Sequence, residues 1–168
     1  MTSTETRPEP PGVAGEREQL AGFLDFLRSA VVMKAEGLTD EQARRALVPS
    51  ELTTVAGLVA HLTYVEQYWF GVLFAGRPDE WRDRFAEDPD AEFTAGMRTP
   101  LADLIANYTA ECARSRAVAS ELDLDATATH KGEPVNFRWA LIHMIEETGR
   151  HAGHLDLLRE LLDGSTGE

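Results

Sequence analysis

The chain has 168 residues, 43% of them apolar, enough for one domain with a real core. Lys and Arg number 16 against 29 Asp and Glu, a formal net charge of -13, so phosphate backbones and anionic membrane surfaces repel it and neither is an expected partner. The single cysteine, Cys112, excludes an internal disulfide and fits a reducing compartment. The opening MTSTETRPEPPG is polar and proline-rich, with no apolar core of a signal peptide, and no apolar run reaches the ~18 residues of a membrane span. The expected location is cytoplasmic.

Residues 1–14 read as a disordered tail and residues 165–168 as a second one, leaving residues 15–164 as the domain. A first helix is predicted from Gly15 to Glu36, with Leu20, Phe23, Leu24, Leu27, Val31 and Ala35 recurring at threes and fours. Thr39 and Gln42 form a capping box for a short helix from Asp40 to Ala46. The second long helix starts at Thr53 or Thr54 and runs to Phe74, burying Val55, Leu58, Leu62, Val65 and Trp69. Residues 76–98 are the longest connection, acidic but carrying Trp81, Phe85 and Phe93, which predicts that it packs on the helices. Thr99 and Pro100 open a third helix to about Leu122, on which Cys112 is a small core residue. The stretch DLDATATHKGEPVN reads as a loop with His130 exposed, and Asn136 caps a fourth helix that ends near Leu162. The fold class that follows is all-α, an antiparallel four-helix bundle with a long connection between the second and third long helices.

The fourth helix carries the informative stretch, EETGRHAGH, Glu146 to His154. At about 100° per residue, His143, Glu147, Arg150, His151, His154 and Leu158 share roughly a third of the circumference, on the stripe that the flanking leucines assign to the core. Glu146 is turned away. A buried carboxylate with no partner costs several kcal/mol, so this cluster requires mutual hydrogen bonds, an opening to water, or a cation. Glu147 and His151, one turn apart, have the spacing by which one helix presents two ligands to one ion. His61, polar among Leu58, Leu62 and Val65, is the candidate third ligand from another helix. A His2Glu set suits zinc, with nickel or another divalent ion as alternatives, and leaves a coordination position open. A buried hydrogen-bond network and a wet polar cleft are the other readings. His154 and Arg150 are candidate pocket residues, Arg150 either gripping a substrate carboxylate or forming a structural ion pair. Tyr64, Tyr68, Trp69 and Trp139 line a pocket or fill the core. No Ser-His-Asp order, phosphate loop or CxxC is present, so any catalysis is expected to rest on metal-activated water or a metal-bound thiolate.

His61 within GLVAHLTYVEQYW and the later FRWALIHMIEETGRHAGHLDLLRELLDG resemble the DinB superfamily of metal-binding helical bundles. The likeness is nearest the actinobacterial branch that includes mycothiol-dependent maleylpyruvate isomerase. It implies an up-down-down-up helix order, metal ligands at His61, Glu147 and His151, and a homodimer. It also implies mycothiol or a similar low-molecular-weight thiol as cosubstrate, with a small electrophile, in S-transfer or isomerisation. A non-catalytic metal- or small-molecule-binding bundle is the rival expectation.

Overall fold

The apolar stripes become helices, and four of these are long. The computed structural model describes residues 7 and 9–166; of the expected tails, residues 1–6, 8, 167 and 168 lie outside the described residues. In chain order the elements are α1 (Glu16–Ala35), α2 (Asp40–Ala43), α3 (Val55–Glu66), a π-helical continuation (Gln67–Phe74), α4 (Arg82–Glu87), α5 (Ala91–Gly96), α6 (Leu101–Glu121), β1 (Thr127–His130), β2 (Glu133–Asn136) and α7 (Phe137–Asp163). They pack as a helical bundle: α1 lies along α7, and α3 lies against α5, α6 and α7.

Local chemistry sets the helix ends. Thr39 and Gln42 make the reciprocal capping box of α2. Thr54 accepts from the Gly57 amide, and Asn136 from the Trp139 amide. The third long helix differs from expectation, beginning at Leu101 with Pro100 as its cap position. The Leu101 amide donates 2.8 Å to the Asp40 carboxylate instead, so α2 caps α6 across the chain. Thr99 turns its hydroxyl back to the Ala95 carbonyl.

Two segments correct the all-helical reading. DLDATATHKGEPVN contains an antiparallel hairpin, Thr127 opposite Asn136 through His130 opposite Glu133. Its turn places Lys131 and Gly132 at positive φ, the two-residue geometry that matches strand twist. Residues 67–74 hold π-helical bonding in place of the expected α-helix; the Ala75 amide reaches back to the Phe70 carbonyl. The wider turn changes the phase of the aromatic residues that follow His61.

The core has two parts. One gathers Val31, Leu58, Leu62, Tyr108, Ala152, Leu155 and Leu158. The other gathers Leu24, Trp69, Phe70, Phe137, Leu141 and Met144. A large apolar side chain buried this fully contributes ~1.5–3 kcal/mol. On α7 the second part ends at Met144 and the first resumes at Ala152. Glu147 and His151 fall in the gap between them.

Candidate metal centre

Helix periodicity places Glu147 and His151 one turn apart on α7, and the packing of α3 on α7 brings His61 to them. Glu147 Oε1 lies 3.1 Å from His61 Nε2, across 86 residues of sequence, and 3.2 Å from His151 Nε2. The two imidazole rings meet edge to face at 4.9 Å. One ligand atom from each of the three residues lies within 4.8 Å of the others. All three side chains are largely buried, 14–17% exposed. Tetrahedral zinc with bonds of ~2.0–2.1 Å has ligand–ligand edges of ~3.3–3.4 Å. The 3.1 and 3.2 Å separations are close to such edges, and the donor set of two imidazoles and a carboxylate is a zinc donor set. The residues therefore fit a divalent ion.

His61 has a second carboxylate. Its Nδ1 lies 3.0 Å from Oε1 of Glu92, a buried residue of α5. Burial lowers the imidazole pKa, but the hydrogen bonds to Glu147 and Glu92 outweigh it and push His61 up to about 9. The hydrogen bonds from His151 and His61 hold the Glu147 carboxyl far below the usual carboxylate range. Without metal, the His61 ring is held between the carboxyl groups of Glu147 and Glu92. The raised His61 pKa stabilises the fold fully below about pH 6.5, and this is lost as pH rises through about 9. Glu147 contributes above about pH 4.5 and loses its contribution on acidification. Metal-free protein is therefore expected to lose up to ~3 kcal/mol between pH 6.5 and 9 in urea titrations; His61→Gln should flatten that slope. A slope unchanged by the substitution would assign it elsewhere.

The other candidates spread out. His154 meets the centre at His151, Nδ1 to Nδ1 at 3.2 Å. Burial, then His151 and Arg150, lower its pKa, which suits a neutral acceptor. Arg150 is exposed and pairs with Glu146. His143 stacks on Trp139 at 5.3 Å and packs on Trp69 at 4.7 Å, outside the ligand set. His130, expected exposed in a loop, is half-buried on β1; its Nδ1 shares a hydrogen bond with the Tyr68 hydroxyl at 3.1 Å and its ring packs on Trp69. Trp69 is core, whereas Trp139 is 47% exposed. Cys112 is buried, and burial pushes its thiol up to about 12, as suits a small core residue. Glu92 was missed by sequence reasoning, and its only signal is an acid beside an aromatic residue, Glu92–Phe93, in the long connection.

A family model described as Mycothiol-S-transferase matches residues 19–164. Among solved structures, the chain resembles one titled as the conserved protein of locus from Enterococcus faecalis. The two are 14% identical, with a TM-score of 0.71, over 91% of this chain and 100% of that one. That likeness shows the fold alone. No curated protein matches at a significant level. Among the described residues no helix is long and apolar enough to cross a membrane.

Proposed function

The chain belongs to the mycothiol-S-transferase family, which is DinB-like, and from that premise we propose a divalent-metal-dependent enzyme that activates mycothiol for transfer to a small electrophile. In this reading residues 15–164 are the working domain. Its long helices, α1, α3 with its π-helical extension, α6 and α7, form the up-down-down-up four-helix bundle. His61, Glu147 and His151 hold the ion, zinc in the first instance. The observation that carries the reading is the meeting of three ligand atoms from α3 and α7 within 4.8 Å.

A divalent ion held there would keep a thiol as thiolate at neutral pH. The chain supplies the rest. Glu147 would offset one positive charge of the ion, and His61 and His151 would each donate an imidazole nitrogen. Apolar walls on both sides, Met144 and Ala152 on α7 among them, exclude water that would compete with the thiol. His154 and Arg150 stand at the exposed rim and contact the cosubstrate. In transfer, the sulfur forms a bond to an electrophilic carbon and the leaving group departs with its electron pair. In isomerisation, the sulfur adds and is later expelled. The setting is the cytoplasm and the assembly a homodimer.

The test is thiol consumption by zinc-loaded protein with mycothiol and a panel of α-haloketones and α,β-unsaturated acids. Loss of thiol above background, abolished by His151→Ala, supports the enzyme. Stoichiometric zinc with no thiol consumed across the panel would favour the non-catalytic metal-binding bundle.

A further inference from the structure

Glu92 lies on α5, inside the long connection, far from either ligand-bearing helix in sequence, yet it is 5% exposed and faces His61. Its Oε1 is 3.0 Å from His61 Nδ1, the nitrogen that points away from Glu147. Its Oε2 is buried with no hydrogen-bond partner among the described residues. The next residue, Phe93, stacks on the same imidazole at 4.7 Å and 15°. Consecutive residues of one short helix thus hold an edge and a face of the His61 ring.

The seat of α5 on α3 is as close as backbone allows. A Cβ at Gly96 would stand 2.7 Å from the Ala56 carbonyl oxygen and 2.7 Å from the Ala60 Cβ. A Cβ at Gly57 would stand 3.1 Å from the Phe93 ring and 2.4 Å from the Leu52 carbonyl oxygen. Glycine at both positions lets the connection press its carboxylate against the imidazole.

Resting on the metal reading above, we propose that Glu92 is a positioning residue of the metal centre, holding the proton of His61 on Nδ1 so that Nε2 presents its lone pair to the ion. A carboxylate that accepts the distal N–H of a ligand imidazole fixes its tautomer and ring angle and raises its basicity. Charge supports the pairing. A buried carboxylate with an oxygen left unpartnered is costly unless positive charge lies near. The long connection thus supplies a second carboxyl group to His61, beside that of Glu147 from α7.

The test compares wild type, Glu92→Gln and Glu92→Ala by zinc competition against a chromogenic chelator. Nitrogen-15 spectra of the zinc-loaded imidazoles are recorded beside it. Glutamine keeps the acceptor and loses the charge, so it is expected to bind zinc ~10-fold more weakly with the His61 Nδ1–H signal retained. Alanine is expected to lose ~10–100-fold and to lose that protected signal. Circular dichroism identifies any variant that does not fold, and Glu92→Gln, nearly isosteric, then decides alone. Both folded variants binding within twofold of wild type with unchanged His61 resonances would overturn the inference and leave the metal centre standing. Lower thermal stability with wild-type zinc affinity also overturns it, since that describes a merely structural acid. Wild-type protein that takes up no zinc overturns the metal reading and this inference together.

Discussion

His61→Ala is expected to strip the protein of metal: zinc after dialysis should fall from about one equivalent to near zero. Affinity should drop by more than ~100-fold. Removing a group that only orients a ligand already costs ~10–100-fold, and His61 Nε2 is one of the three atoms that converge. What remains is Glu147 and His151 on a single turn, two ligands where a closed or catalytic zinc site needs at least three. Mycothiol consumption should fall to background with the metal. The controls are Arg150→Ala and His143→Ala, since Arg150 pairs with Glu146 and His143 lies between Trp69 and Trp139. Both should keep a full equivalent of zinc. The substitution has a second effect. With the imidazole gone, Glu92 and Glu147 lose the group both of them touch. Metal-free His61→Ala should therefore be less stable than wild type at pH 6 and closer to it at pH 9, where His61 would be losing its proton. Plasma emission spectrometry and urea titration read the two effects separately. Retention of an equivalent of zinc by the folded variant would remove His61 from the ligand set.

The bundle was legible because apolar periodicity and caps are local properties. Thr54, the Thr39–Gln42 box and Asn136 cap as their sequence context predicts. The convergence on Glu147 was legible because a histidine and a carboxylate on an apolar stripe require a partner. Three features were not. The hairpin at residues 127–136 lacks the usual Asn-Gly turn, carries Pro134 in a strand, and has only four residues per strand, so its alternation is weak. The π-helical turn of Gln67–Phe74 leaves no periodic signature, since the seven residues after Gln67 are all apolar or aromatic. Glu92 sits among acidic neighbours that are solvated, such as Glu87 and Asp90, and only tertiary packing separates it from them. Arg28 and Glu66 are a different case. Arg28 falls four residues after Leu24 and three before Val31, and Glu66 falls four after Leu62 and three before Trp69. The periodicity that identified His61 marks both, and opposite charges on two buried stripes imply a pair.

That pair supports the prediction with the largest effect on stability. Arg28 donates Nε to Glu66 Oε1 at 2.7 Å and Nη2 to Oε2 at 2.6 Å, a two-pronged contact, while Nη1 reaches Asp25 at 2.8 Å. Arg28 is 5% exposed and Glu66 is fully buried. Burial would lower the Arg28 pKa, but the charge of Glu66 and its hydrogen bonds hold it above its ordinary value. Truncating one partner leaves the other charged, buried and unmatched, at a cost of ~3–5 kcal/mol. Arg28→Ala and Glu66→Ala should each lower the urea midpoint by that equivalent. Replacing both partners, Arg28→Met with Glu66→Leu, removes both desolvation costs and should recover most of the loss, because an apolar pair of similar volume is often neutral or better. The functional consequence follows from position. Glu66 ends α3, five residues after His61, where the π-helical turn begins. The pair fastens this point to α1, and through it the depth at which His61 meets α7. The double variant should therefore fold well yet bind zinc more weakly if the salt bridge sets that register, and as tightly as wild type if packing alone does. A double variant as unstable as the single ones would show that the ion pair is needed for more than the cancellation of its own charges.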